Sequence, residues 1–182
     1  AREVVQSLLP FAHKGIAIVG LEPSCLLTLR DEMLVLGLGD APQLIARHAL
    51  LFEEFLAREA QAGRLDALKA KIRPVDQPVL LHGHCHQKAF DAVSPVMEVL
   101  RWIPGANPTL IESSCCGMAG SFGYEAAHHG VSMQMAELSL LPAVRAQPDA
   151  IVVADGTSCR HQIHDGAQRE AVHLSRLLAR LI

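Results

Sequence analysis

The sequence predicts an α/β protein with a mostly parallel sheet and helices on both of its faces. Four short apolar runs of strand length recur along the chain, and amphipathic stretches of helical length separate them. This alternation implies right-handed crossovers between parallel strands. Half of the 182 residues are hydrophobic and only 4% are aromatic, which favours aliphatic packing of helices on a sheet.

The first half of the chain contains one predicted strand and four predicted helices. The continuous apolar run 15–20 predicts a strand that is buried on both faces. Pro42 fits the first turn of a helix, and the apolar face that follows it extends this helix to residue 60. The helices are predicted at residues 3–11, 26–35, 42–60 and 65–71.

The second half contains three predicted strands, each followed by a turn with cysteine. The strands are predicted at residues 78–83, 108–114 and 150–155. A helix is predicted after the first of them up to residue 101, with Pro95 as a kink or restart. Further helices are predicted at 124–144 and 167–181.

Every predicted strand is followed closely by cysteine. In order, these residues are Cys25, Cys85, Cys115 with Cys116, and Cys159. Ligands bind beyond the carboxyl ends of the strands in open parallel sheets, so we expect the five cysteines to gather along one edge. Simple core thiols would be scattered through strands and helix faces instead.

The stretch 112–123 contains two adjacent cysteines followed by glycines. Neighbouring side chains on an extended chain point to opposite faces, so Cys115 and Cys116 reach one centre only if the backbone turns between them. Gly117 and Gly120 permit such a turn and let the backbone approach a bulky ligand. We therefore predict that both glycines contact a cofactor.

The chain also contains an internal repeat. Residues 18–25 resemble residues 152–159, since both have an apolar strand, a three-residue turn and Ser-Cys. We expect two pseudo-repeated units in one compact fragment of a larger enzyme. The first, 1–76, is the C-terminal part of a truncated unit, and the second, 77–182, is complete.

The five cysteines predict a metal or redox site. An odd number argues against a closed disulfide framework and indicates a reducing compartment. Gathered thiolates there hold an iron–sulfur cluster, hold zinc, or carry out dithiol chemistry. The candidate ligands are Cys85, Cys115, Cys116 and Cys159, with Cys25 as a fifth or as part of a neighbouring site. The candidate substitutes are His84, His86 and His161.

Other polar residues near the turns are assigned lesser roles. The alternation of His82 with the following histidines is attributed to the end of a strand. Asp155 and Glu112 are candidate acceptors that orient a ligand, whereas Glu22 is expected to be solvated.

The sequence contains no signal for several other functions. A net charge of −3 without a basic block gives no indication of nucleic-acid binding. No apolar run approaches the roughly 20 residues of a transmembrane helix. No Ser-His-Asp arrangement, phosphate loop or dinucleotide fingerprint is present.

Four stretches together resemble the cysteine-rich domain of CCG type. They are residues 21–25, 82–88, 114–124 and 156–162. That family includes a subunit of heterodisulfide reductase and the iron–sulfur subunits of glycolate and lactate oxidases, and the chain is most similar to the C-terminal module of FAD-linked D-2-hydroxyacid dehydrogenases. The family motif ends in Cys-x-x-Cys, but Gln162 stands at the last position here. This departure disfavours a five-cysteine cluster and favours a four-ligand cluster or zinc.

The resemblance implies an iron–sulfur electron-transfer module of an FAD-linked dehydrogenase for lactate, glycolate or 2-hydroxyglutarate. It implies flavin and ferredoxin-like domains in the same polypeptide, a respiratory-chain electron acceptor, and a cytoplasmic location or a peripheral one at the cytoplasmic membrane. The fragment alone is not expected to be catalytic, because it has no flavin site. The alternatives are a structural zinc module and a thiol-based disulfide reductase.

Overall fold

The computed structural model describes residues Ala1–Ile182 and contains two separate parallel sheets. In the smaller sheet, β1 (Ile18–Gly20) pairs in parallel with β2 (Ala49–Leu51). The larger sheet has the order β4-β3-β5-β6, and all its neighbouring strands are parallel. Its strands are β3 (Val79–Leu81), β4 (Pro108–Leu110), β5 (Ile151–Val153) and β6 (Ala171–Val172). The predicted α/β class is confirmed.

Eleven α-helices connect and cover the strands. In chain order they are α1 (Arg2–His13), α2 (Pro23–Leu27), α3 (Ala41–His48), α4 (Phe52–Gln61), α5 (Asp66–Lys69), α6 (Cys85–Ala89), α7 (Val93–Leu100), α8 (His129–Glu137), α9 (Leu140–Ala146), α10 (Thr157–Ala167) and α11 (Leu174–Leu181). Short 3-10 turns lie at Thr28–Arg30, Glu32–Val35 and Phe122–Tyr124. None of these helices combines the length and the apolar character that crossing a membrane requires.

The predicted helix over 42–60 is wrong, because strand β2 interrupts it. Helix α3 ends at His48, and the chain extends for three residues beside β1 before α4 begins. The carboxylate of Glu54 accepts a hydrogen bond from the backbone N–H of Leu51 at 2.8 Å. This contact satisfies a free donor at the start of α4 and thereby fixes the second helix as a separate element.

Three other predicted helices are also shorter or differently placed. The stretch 26–35 consists of the end of α2 and two 3-10 turns, and 124–144 is divided into α8 and α9. Pro142 lies in the first turn of α9, where its missing N–H costs no helical hydrogen bond. The third is the predicted helix over 167–181. Residues 157–167 already form α10, and Gln168, which follows this helix, has the left-handed conformation with a φ of 53°. The chain then adds β6 before the last helix.

Helices pack on both faces of the larger sheet. Val79 and Leu81 point to one face, where they pack with side chains of α4, α7 and α11. Leu80 points to the opposite face, where it packs with side chains of α9 and α10. This alternation is the expected geometry of a strand that is buried on both sides. Helices on both faces of the sheet were therefore predicted correctly.

The two predicted units share a hydrophobic core. Leu56 and Val75, which precede residue 77, belong to the same cluster as Val79 and Leu81 of the larger sheet. A separate cluster joins the smaller sheet to α1, α2 and α3. The boundary between residues 76 and 77 remains a prediction, and the core packing continues across it.

Candidate metal centre

The turn between β3 and α6 places Cys85 at the first position of a helix. The Nδ1 atom of His84 accepts a hydrogen bond from the backbone N–H of His86 at 3.2 Å. The side chain of Gln87 reaches back and accepts from the backbone N–H of His84 at 2.9 Å. These reciprocal contacts satisfy two free donors at the helix start, so the position of Cys85 is fixed by its neighbours on both sides.

The turn after β4 depends on Gly117. Its φ of +91° is in the region that favours glycine, and a Cβ atom there would overlap the carbonyl oxygen of Ser132. The backbone N–H of Gly117 donates to the Sγ atom of Cys115 at 3.3 Å. Cys116 is buried with 4% exposure, whereas Cys115 is only partly buried.

Cys159 lies in the first turn of α10, close to the turn that carries Cys85. Gly156 precedes this helix, and a Cβ atom at Gly156 would overlap the His84 ring and lie 3.1 Å from the Cys159 Sγ atom. The close approach of these two turns requires glycine at position 156. It brings a cysteine from the β5–α10 connection to the edge of the sheet where Cys85 lies.

A cavity of about 370 Å³ lies at this edge of the larger sheet. Three of the predicted ligands, Cys85, Cys115 and Cys116, line it. Gly120 also lines it, and Ser24 contributes to it from the first turn of α2. The structure therefore brings together the carboxyl ends of β3, β4 and β5.

The thiols of the four predicted ligands shift one another's pKa values. The pKa of Cys115 is well below the usual range, because its sulfur accepts hydrogen bonds from Cys116 and Cys85. The pKa of Cys159 is also lowered, because it accepts a hydrogen bond from Cys116. The pKa values of Cys85 and Cys116 are raised, first because both thiols donate to Cys115. The site therefore favours two thiolates, Cys115 and Cys159, beside two protonated thiols, and a bound cation favours loss of the remaining thiol protons.

His82 completes this group from the first position after β3. Its ring nitrogen and the Sγ atoms of Cys116 and Cys159 all lie within 4.8 Å of one another. The Nδ1 atom of His82 lies 2.9 Å from the hydroxyl oxygen of Ser113, while its Nε2 atom is buried without a hydrogen-bond partner. A buried polar atom without a partner is rare in folded proteins and indicates a missing ligand or ion.

Comparison with known proteins identifies the family of the segment that carries four of the five cysteines. Residues 79–164 match the family described as a cysteine-rich domain of CCG type. They form a CCG domain. The resemblance seen in the sequence is thereby confirmed.

The relatives of the chain are dehydrogenases or parts of them. The chain is 29% identical over 170 residues to a subunit of the anaerobic glycerol-3-phosphate dehydrogenase of Escherichia coli strain K12, with 93% of this chain and 41% of the relative covered. It is 29% identical over 164 residues to the D-2-hydroxyglutarate dehydrogenase of the same organism, with 90% and 15% covered. The corresponding enzyme of Pantoea ananatis is 30% identical over 156 residues, with 84% and 14% covered. The chain thus spans less than half the length of these relatives, and no solved structure matches it.

The CCG domain contains a glutamine at the place of the last motif cysteine. Gln162 has an exposure of 3%, and its Nε2 atom donates to the carbonyl and the hydroxyl oxygen of Ser132, both at 3.0 Å. The side chain therefore ties α10 to α8. The amide N–H groups of Gln162 are therefore used in hydrogen bonds to Ser132 and not in a contact with a thiol.

Of the remaining predicted ligands, His84 contacts the cysteines, since its Nδ1 atom lies 3.9 Å from the Cys85 Sγ atom. Cys25 is exposed on α2, and it neither lines the cavity nor belongs to the close group around His82. His161 lies 2.6 Å from the Tyr124 hydroxyl through its Nδ1 atom. His84 and His86 line the cavity. The metal-binding role of Cys25 stays a prediction.

Polar side chains form hydrogen bonds around the cysteine-bearing turns of the CCG domain, and sequence reasoning missed most of them. The amide of Gln87 donates to Glu53 at 2.6 Å and to Asp155 at 3.0 Å. The ammonium group of Lys88 donates to the backbone carbonyls of Ser113 and Ser114 and thereby fixes the turn before Cys115. Of these residues, only Asp155 was predicted as an acceptor. Its carboxylate binds Gln87 and the backbone N–H of Leu174 at 3.0 Å, not a thiol.

Proposed function

We propose that this chain is the iron–sulfur electron-transfer module of an FAD-linked 2-hydroxyacid dehydrogenase. The observation that carries the proposal is a cavity of about 370 Å³ lined by Cys85, Cys115 and Cys116, with the Cys159 sulfur within 4.8 Å of the Cys116 sulfur. Cysteine thiolates are the usual ligands of iron–sulfur clusters. The donor set and the unpaired Nε2 atom of His82 fit such a group, which supplies one-electron redox chemistry when it is bound.

The residues around the thiols control the polarity of the site. The backbone N–H of Gly117 donates to the Cys115 sulfur at 3.3 Å. Cys116 and Cys159 also belong to an apolar cluster that includes Ile111 and Ile163. Hydrogen bonds to sulfur and exclusion of water are two of the factors that set a reduction potential. Both are built into this part of the chain.

The larger protein supplies the rest of the proposed reaction. One matched relative is named a D-2-hydroxyglutarate dehydrogenase, and the chain spans 15% of it. We infer that FAD and the substrate site for a lactate-, glycolate- or 2-hydroxyglutarate-type acid lie in other domains of the same polypeptide, together with a ferredoxin-like domain. Electrons then leave through this module toward a respiratory-chain acceptor. This assignment implies a cytoplasmic protein or one peripheral to the cytoplasmic membrane.

The test is the metal and sulfide content of the protein purified without oxygen, together with its visible absorption spectrum. We expect iron, acid-labile sulfide and charge-transfer bands that dithionite bleaches. Cys116→Ser should lose most of the iron, because Cys116 is buried between Cys115 and Cys159. Cys25→Ser is the matched control and should retain it, because Cys25 is exposed and outside the cavity. A folded protein without metal contradicts the proposal.

A structural zinc site is the second candidate. The close group of His82, Cys116 and Cys159 favours it, because zinc is held tetrahedrally by cysteine and histidine. This candidate predicts stoichiometric zinc, no visible absorption band and unfolding when a chelator removes the metal. The same purification therefore distinguishes the two candidates.

A further inference from the structure

His82 is buried beside the sulfur atoms of Cys116 and Cys159, and a backbone hydrogen bond fixes its position. Its side chain is 1% exposed, and its backbone N–H donates to the carbonyl oxygen of Val153 at 2.9 Å. The residue is therefore anchored by the pairing of β3 with β5. An imidazole in this position has little freedom to turn toward solvent.

The two nitrogens of the His82 ring have different surroundings. Nδ1 lies 2.9 Å from the hydroxyl oxygen of Ser113, and the ammonium group of Lys88 holds the backbone of the same serine. With Nδ1–H donating to that hydroxyl, Nε2 keeps its lone pair. The Nε2 atom is buried without a hydrogen-bond partner, and the His82 ring places a nitrogen within 4.8 Å of the Cys116 and Cys159 sulfurs.

The spacing of the three atoms suits one metal ion. In a tetrahedral site, sulfur and nitrogen ligands of the same ion lie about 3.5–3.8 Å from each other. The His82, Cys116 and Cys159 atoms are already gathered within 4.8 Å, so a small inward movement brings them to this spacing. Histidines that bind metals usually donate their other ring N–H to an oxygen atom, and the Ser113 hydroxyl oxygen, 2.9 Å from Nδ1 of His82, is placed to accept such a hydrogen bond.

The sequence also lacks the last cysteine of the family motif, so a histidine can fill the coordination position of that cysteine. Gln162 occupies the place of a motif cysteine, and Ser132 holds its amide. We propose that the Nε2 atom of His82 is a direct ligand of the metal that Cys116 and Cys159 bind, which gives a mixed cysteine–histidine centre. The inference rests on the proposed function only in requiring a metal, either iron or zinc, in this cavity.

The test is X-ray absorption at the K-edge of the metal in protein purified without oxygen. The wild type is compared with His82→Cys and with the control His161→Ala, whose imidazole contacts Tyr124. We expect one nitrogen ligand with the outer-shell scattering of imidazole in the wild type and in the control. His82→Cys should retain metal with sulfur in place of that nitrogen. A sulfur-only shell in the wild type overturns the inference, as does nitrogen scattering that persists in His82→Cys.

Two further variants keep the test decisive if His82→Cys loses its fold, as judged by circular dichroism. His84→Ala and His86→Ala remove the imidazoles that line the cavity. Retention of the nitrogen signal in both assigns it to His82, and loss in either one overturns the inference. A wild-type protein without metal refutes the proposed function, whereas metal with sulfur ligands alone refutes only the role of His82.

Discussion

At the scale of single residues, Gly117 decides whether two adjacent cysteines can serve one site. Its φ of +91° turns the chain directly after Cys116, and the carbonyl oxygen of Ser132 leaves no space for a side chain. Gly120 also has a positive φ, +66°, but a Cβ atom there would contact nothing within 4 Å. A comparison of the two positions therefore distinguishes the cost of a positive φ from the cost of steric overlap.

Gly117→Ala should destabilise the protein more than Gly120→Ala. The positive φ alone costs about 1–2 kcal/mol for an L-residue, and this cost applies to both positions. The overlap with Ser132 adds to it only at Gly117, so we expect a larger loss of unfolding free energy and of bound metal there. Urea denaturation and metal analysis of the two variants measure the difference. Equal effects would show that the contact with Ser132 relaxes freely.

Single residues also show why part of the site escaped prediction. Cys85, Cys116 and Cys159 follow strands in the sequence, so topology alone placed them at one edge. The role of His82 depends on Ser113, which is 31 residues away in the chain. A buried polar side chain is defined by such distant partners, and no local pattern contains them.

At the scale of secondary-structure elements, the start of α10 depends on a residue far away in the chain. The carboxylate of Glu22 accepts hydrogen bonds from the backbone N–H and the hydroxyl of Thr157, at 2.9 and 2.8 Å. The sequence favoured a solvated Glu22, whereas the structure places its carboxylate at a helix N-terminus. A negative charge there satisfies a free N–H group and interacts favourably with the helix dipole.

Glu22→Gln should lower the unfolding free energy by about 1 kcal/mol, because it removes the charge at this cap. The measurement is urea denaturation at neutral pH and low salt, where the dipole interaction is least screened. Glu32→Gln is the control, since Glu32 is exposed in a 3-10 turn. If both variants lose the same stability, the contact with Thr157 contributes nothing of its own.

Strand β2 was missed because the spacing of apolar residues does not reveal so short an element. Ile45 and Leu56 are both buried, and their spacing, close to three turns of about 3.6 residues, also fits one side of a continuous helix. A strand of three residues is too short to display an alternating pattern. The capping contact of Glu54 with Leu51 makes the break, and a hydrogen bond from the backbone to a carboxylate leaves no mark on the apolar pattern.

At the scale of the whole molecule, a buried polar network joins the two predicted units. Glu53 of α4 and Asp155, which follows β5, both accept hydrogen bonds from the amide of Gln87. The Nε2 atom of His173 lies 3.6 Å from Asp155 and 2.8 Å from the carbonyl oxygen of Leu21. The network therefore connects the turn after β1, helix α4 and the larger sheet.

Glu53 should make the stability of the molecule depend on pH. Its exposure is 1%, and burial, followed by the charge of Asp155, raises its pKa to about 8 from an ordinary value of 4.5. The folded state therefore binds this proton more tightly than the unfolded chain does. Below pH 4.5 both states are protonated, so Glu53 gives no pH dependence; between 4.5 and 8 the unfolding free energy falls as pH rises. The loss is up to roughly 5 kcal/mol.

Glu53→Gln should remove this slope, because glutamine resembles the protonated glutamic acid and does not titrate. We expect the variant to equal the wild type near pH 4.5 and to exceed it in unfolding free energy near pH 8. Urea denaturation across this range measures both profiles, with Glu32→Gln as the control that keeps the wild-type slope. A variant that is less stable than the wild type at pH 8 would mean that charged Glu53 is stabilised by the Gln87 amide. In that case the ionised carboxylate of Glu53 would be the form that holds the two units together.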